Sequence, residues 1–139
     1  MVKGITYILT SDTDVQALVG RNELNTKYKA YPNVCPNPEK FPYSVVKLSG
    51  KIPEQCKGMV PNTFNCSYSV MSYHINYDDC EALDLAVVTA LSKPDGGTFN
   101  GVVFQDIRHT DTIDGYVDDY KLHVKISTFE AMINEDQAT

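Results

Sequence analysis

The sequence predicts one domain of mixed helices and strands, an α+β fold, and three observations carry that expectation. The chain has 139 residues, close to the commonest domain size, and a chain that long buries roughly two thirds of the surface its unfolded form exposes. One segment, from Cys80 to Leu91, shows sustained helical periodicity. Four others, within 42–48, 64–77, 98–108 and 116–129, are rich in β-branched and aromatic residues and are separated by Pro, Gly or Asp breaks. With no repeat or linker, 1–139 reads as a single domain with a C-terminal tail, 130–139, expected to fray.

In chain order, the apolar run Ile5 to Leu9 belongs either to the same helical region as the segment after it or to an arm. Asp12 to Val19 follows, with Val15, Leu18 and Val19 at helical spacing, Ser11 as the expected cap and Gly20 as the stop. Pro32, Pro36, Pro38 and Pro42 make 31–42 a loop, because each fixes φ and removes an N–H donor. The strand from Pro42 to Leu48 ends at Ser49-Gly50, and 51–62 is again irregular. Between Phe64 and Tyr77 the apolar residues move from even positions to odd ones at Val70-Met71. That switch predicts either a bulge or a strand buried on different faces along its length.

Asp78 is the expected N-cap of the main helix, with Glu81 in capping-box position, and Cys80, Leu83, Ala86, Val87, Ala90 and Leu91 form its apolar face. In 116–129 the even residues Tyr116, Tyr120, Leu122, Val124 and Ile126 read as the inner face. Lys121, His123, Lys125 and Ser127 read as the solvated or partner-facing one.

Charge and motifs exclude several function classes. Twelve Lys and Arg against eighteen Asp and Glu give a formal charge of −6, which argues against a general grip on nucleic acid, since that depends on cations displacing phosphate counterions. Met1 to Tyr7 has no signal-peptide character and no window is long enough for a membrane span, so a soluble protein of the cytosol is expected. Cys35, Cys56, Cys66 and Cys80 form no C-x-x-C pair and are expected as reduced thiols. A zinc site from His74, Cys66 and Cys80 lacks ligand spacing. The carboxylates Asp106, Asp111, Asp114, Asp118 and Asp119 break the calcium-loop order and read as a solvated hairpin tip. Gly58 and Gly96-Gly97 build no phosphate loop. No catalytic residue, cofactor or metal is expected. Nine tyrosines, among them Tyr68 and Tyr73 in the central strands, suit a subunit interface as well as a core edge.

The order of these pieces carries a resemblance. Asp14-Val15-x-Ala17-Leu18-Val19-Gly20-Arg21 is followed by the proline-rich loop, by Pro42-Tyr43-Ser44-Val45-Val46, and then by Tyr77-x-x-Cys80-Glu81-Ala82-Leu83-x-Leu85-Ala86-Val87-Val88-x-Ala90-Leu91. Gly101-Val102-x-Phe104-x-x-Ile107 and Asp118-Asp119-Tyr120-x-Leu122-x-Val124 complete it. Together, from about Asp12 to Ile126, this resembles the tail completion, or tail terminator, family of long-tailed bacteriophages. The chain departs from that pattern in 52–63 and in its acidic tail.

The resemblance implies a mainly antiparallel sheet, about four strands here, with helices packed on one face. It implies a structural virion protein of the tail or neck, assembled in the host cytoplasm, and no enzyme. Copies would form a ring, generally a hexamer, that caps the tail tube, ends its polymerisation and presents the joining surface for the head. Its partners would be the major tail tube protein and the head-tail connector, with DNA passing through an acidic lumen without specific binding and no membrane involved. Asp111, Asp114, Asp118, Asp119, Tyr68 and Tyr73 are the candidate contacts to lumen or partner. The long 64–77 and 116–129 strands are the candidate edges for pairing between subunits. Another neck or head-completion component is the nearest alternative, and a small cytosolic enzyme using a Cys or a carboxylate pair is the alternative from a different class.

Overall fold

A computed structural model describes residues 2–20, 28–35, 41–53, 63–92, 97–99 and 102–134. The element order is α1 (Val2–Ser11), α2 (Thr13–Val19), β1 (Ala30–Pro32), β2 (Tyr43–Pro53), β3 (Thr63–His74), α3 (Tyr77–Ser92), β4 (Gly97–Phe99), β5 (Val102–Val117) and β6 (Leu122–Asn134).

Among the described residues the sheet has six strands, in the order β1-β2-β3-β6-β5-β4, rather than about four. The additions are β1, which overlaps the expected loop, and β4, because the segment expected as one strand over 98–108 is divided between β4 and β5. All neighbours pair antiparallel except β1, which runs parallel to β2. The outer strands lay hidden in sequence because three residues are too few to show alternation, and one of them ends on Pro32.

Local chemistry sets the helix boundaries. Asp12, not Ser11, caps α2, its carboxylate accepting the N–H groups of Asp14 at 3.0 Å and Val15 at 3.2 Å. Gly20, at φ 68°, closes that helix by donating its N–H to the Gln16 carbonyl. The run Ile5 to Leu9 is a separate helix, linked to α2 by the Gln16 amide, which donates to the Thr10 carbonyl at 2.7 Å. At α3 the cap is Asn76, whose side chain accepts the Asp78 N–H at 2.9 Å. Asp78 and Asp79 instead fill the first turn, where carboxylates complement the helix dipole.

Ile5, Leu9, Val15, Val19, Leu83, Val87 and Leu91 come from all three helices and join one core with Val46, Tyr68, Val70, Phe104, Ile107, Phe129 and Ile133. The helices therefore cover one face of the sheet. On the opposite face a smaller apolar cluster lies at one end, where Tyr43, Val45 and Leu122 pack with Met71, Tyr73 and Val117.

The phase switch in β3 is resolved by that second cluster. Its pairing with β6 runs without interruption from Thr63 to His74. Even positions from Phe64 to Ser72 are buried under the helices, whereas Met71 and Tyr73 belong to the cluster on the open face. No bulge is needed.

The C-terminal half differs from expectation in several respects. The acidic stretch 109–115 is strand, and the chain turns later, at Asp118 to Lys121, where Lys121 takes φ 53° and donates its N–H to the Asp118 carbonyl at 3.4 Å. The segment 116–129 is therefore not one strand. The odd side of β6 is also not the solvated side. Lys125 and Ser127 are buried beneath the helices, next to Phe129, Ala131 and Ile133. β6 continues to Asn134, so the first half of the expected tail is paired, while 135–139 lies outside the described residues.

Bulges in β5 explain why its pattern was illegible. The register shifts between Phe104 and Asp106 and again between His109 and Asp111. Residues three apart face opposite ways on a regular strand, yet here Phe104 and Ile107 share one core. The second bulge likewise brings His109 and Thr112 to one side, with 2.7 Å between the imidazole Nε2 and the hydroxyl.

Candidate functional site

The candidate residues divide between strand, turn and core. Asp111 and Asp114 stand on β5, whereas Asp118 and Asp119 occupy the β5–β6 turn; all four are exposed. Tyr68 is corrected as a surface contact: it is fully buried in the helix-side core. Tyr73 lies half-buried on the open face, its ring stacked on Tyr43 at a centroid distance of 4.8 Å. Burial, reinforced by the nearby Cys35, pushes its phenol above the usual tyrosine range.

A cross-strand row, Ser44–Ser72–Lys125–Asp114, runs across β2, β3, β6 and β5 on the helix-facing side. The Ser44 and Ser72 hydroxyls are 3.2 Å apart. Lys125 Nζ lies 2.6 Å from Asp114 Oδ1, and the Tyr77 hydroxyl donates to Asp114 Oδ2 at 3.2 Å, so the first residue of α3 joins the pair. The hydrogen bond from Lys125 holds the Asp114 carboxyl below its ordinary range. Asp114 in turn raises Lys125, against the opposing effect of burial.

One row further, Ser127 donates to Asp84 Oδ1 at 2.5 Å. Thr112 Oγ1 lies 2.9 Å from Ser127 Oγ. His109 Nε2 lies 2.7 Å from Thr112 Oγ1 and 2.9 Å from the Asp111 carbonyl. That carbonyl can only accept, so Nε2 carries the proton. The chain of bonds therefore runs from exposed imidazole to buried carboxylate. Burial pushes Asp84 above the usual aspartate range, opposed first by Ser127 and then by the charges of Lys125 and His109.

Cys80 sits beside this network, donating to the Ser72 carbonyl at 3.2 Å. Burial pushes its thiol up to about 11. A thiol so rarely ionised is a poor nucleophile. Among the described residues, no group of three or more His, Cys, Asp or Glu side chains is placed to hold a metal ion. The network is arranged to fix α3 on the β5–β6 hairpin.

Shallow grooves lie on the open face among the described residues. One, of about 350 Å³, lies over Asn65, Ser67, Asp106, Arg108, Glu130 and Met132. Arg108 bridges Asp106 at 3.4 Å and Glu130 at 3.6 Å there. The second, of about 320 Å³, is apolar and lies over Tyr43, Val45, Met71, Tyr73, Val117 and Tyr120.

The chain shares its fold with a virion chain. A chain of the virion of a native gene transfer agent particle superposes with a TM-score of 0.70, covering 97% of this chain and 95% of that one at 15% identity. No protein-family model matches the sequence, and no curated relative matches it. At such identity the likeness establishes fold, not residue roles.

The sequence reading missed Asp84, Thr112, Lys125 and Ser127. For Asp84 a signal existed: Cys80, Leu83, Asp84, Val87 and Leu91 all occupy the buried stripe of α3, so a carboxylate at a core position demanded a partner. For Ser127 and Lys125 none existed, because only the sheet register decides which face of β6 the helices cover.

Proposed function

We propose that this chain is a structural subunit of a phage-like virion, one copy of a ring that caps the head-proximal end of a tail tube. The observation that carries the reading is the end-to-end correspondence of fold with a chain of a virion particle, with 97% of this chain covered. The narrower part of the reading, capping of a tail tube, rests on the resemblance of the sequence to tail terminators. Non-covalent assembly is the whole of the mechanism: one face of the ring matches the last layer of tube protein and the opposite face offers no site for another, so growth stops.

The surfaces suit that role. The apolar groove over Tyr43, Met71 and Tyr73 offers rigid aromatic area for packing against another subunit. The acidic turn Asp118-Asp119 would repel DNA from a channel wall. A hexamer is the expected ring, with tail tube protein on one side and the head connector on the other.

Polymerising tail tube protein with and without this chain, imaged by negative stain, tests the proposal. Short tubes of uniform length ending in a ring are expected. Tubes of the same unlimited length in both samples would overturn tail capping, and binding to the connector in that case would favour a neck component instead.

A further inference from the structure

Ring closure needs two different surfaces on each subunit, and the sheet has two incompletely covered edges. β3 and β6, whose sequences suggested edges, are central strands with both sides occupied. On one outer side β1 covers β2 only over Ser44–Val46, leaving the following Lys47–Gly50 uncovered. On the other, β4 covers β5 only over Val102–Phe104, and β5 continues to Val117. Among the described residues, no backbone hydrogen bond reaches the outer side of Lys47–Gly50 or of Ile113–Val117.

Other parts of these edges are protected. On β1, Pro32 lacks an N–H and its carbonyl accepts from Val34 at 2.8 Å, while the Ala30 N–H goes to the Tyr28 carbonyl at 3.0 Å. On β5, the Asp111 carboxylate accepts the Thr112 N–H at 2.9 Å and His109 donates to the Asp111 carbonyl. Proteins shield edges in such ways because an open one templates another strand. The stretch Ile113–Val117 has no comparable guard among the described residues, and it exposes Ile113 by 54% and Tyr116 by 51%.

Charge selects the partner. From Asp111 to Asp119 the chain carries aspartate at 111, 114, 118 and 119 and no Lys or Arg, whereas Lys47 to Pro53 carries Lys47 and Lys51 and no carboxylate. Two β5 edges brought together would oppose like charges, which disfavours a two-fold dimer. β2 against β5 joins opposite charges. The two strands run in opposite directions within the sheet, so a β2 added beyond β5 continues the antiparallel alternation. That direction sets Lys47 at the Val117 end of the joint, toward Asp118.

We propose that the Ile113–Val117 edge of β5 receives the Lys47–Gly50 edge of β2 from a second copy, joining subunits head to tail. The inference rests on the ring reading and says how the ring is closed. The bulge between Leu48 and Gly50 keeps each joint short, as befits a contact that copies hold only collectively.

Native mass spectrometry and backbone amide exchange test the joint with the full chain. Wild type is expected to form a closed oligomer, in which the amides of 47–50 and 113–117 exchange more slowly than in the dissociated protein. Lys47→Glu alone, or Asp118→Lys with Asp119→Lys, should each weaken assembly by about tenfold or more. All three changes in one chain should restore it. Asp111 and Asp114 are left intact because they bond within the subunit, and circular dichroism checks that each variant folds. Wild-type-like assembly of the charge variants, unchanged exchange at 113–117 in the oligomer, or a chain that stays monomeric even on tubes would each overturn the joint. Unlimited tube growth beside an intact, edge-protected oligomer would remove the capping reading and leave the joint standing.

Discussion

Ser127 on β6 donates a 2.5 Å hydrogen bond to Asp84 on α3, and both residues are buried. That bond anchors α3 to the centre of the sheet by a buried polar contact beside the apolar core. Ser127→Ala removes the donor and leaves the carboxylate buried without it. A loss of about 1–3 kcal/mol is expected, read as a fall in urea midpoint at constant m-value. An unchanged midpoint would show that the contact is dispensable.

The Asp84 carboxyl gives the fold a definite pH dependence. Its folded-state pKa is raised by burial above the ordinary 3.8, so its ionisation opposes folding. The contribution is most favourable below 3.8. It declines as pH rises from there through the folded-state value and is constant above. Asp84→Asn keeps an oxygen for Ser127 and abolishes the titration. The stability difference, variant minus wild type, should therefore grow in the variant's favour as pH rises from 3 to 7, and a flat difference would refute the assignment.

Asp114 should act in the opposite sense. The Lys125 hydrogen bond lowers its pKa below 3.8, so the stability it contributes is present above that value and is lost as pH falls through the folded-state pKa. Asp114→Asn should lower the melting temperature at pH 7, and the gap to wild type should narrow on acidification below pH 3.8. Lys125→Met, which removes the cation as well as its need for a partner, should cost less than Asp114→Ala, which strands it. Thermal melts of the three variants check the order.

Gly115 faces Val124 across the β5–β6 ladder, and a Cβ built there would meet Val124 Cγ1 at 2.9 Å. A stiff β-branched side chain cannot yield easily. Gly115→Ala should destabilise by about 1–2 kcal/mol, and adding Val124→Ala should recover part of the loss. If the two changes are simply additive in urea unfolding, the close approach is not the cause.

The Cys80 thiol, buried and pushed up to about 11, should resist alkylation. At pH 8 only about one thiol in a thousand would be ionised, before lack of access slows the reaction further. Iodoacetamide followed by peptide mass mapping should label Cys80 at a rate set by unfolding, rising steeply with urea. Rapid labelling of the native protein would contradict its placement.

How much of this was legible in the sequence depends on whether the signal was local. The α3 stripe, the stop at Gly20 and the strand character of 64–74 follow from periodicity and propensity, which neighbouring residues express by themselves. Ser11 and Asp12, or Asn76 and Asp78, are chemically similar cap candidates one or two residues apart, and only the backbone path selects between them. The turn at Asp118 to Lys121 was placed too early because two bulges hide the alternation of β5.

Local sequence was enough for an acidic chain of alternating helices and strands. Tertiary structure decided which face of each strand lies under the helices, which placed Tyr68 and Lys125 inside and left Tyr73 at the edge of the open face. It also decided that β3 and β6 lie in the centre while β2 and β5 end with uncovered edges. Strand order is a matter of pairing between residues far apart in the chain, where hydrogen bonds and burial are counted over the whole sheet, and no local pattern encodes it.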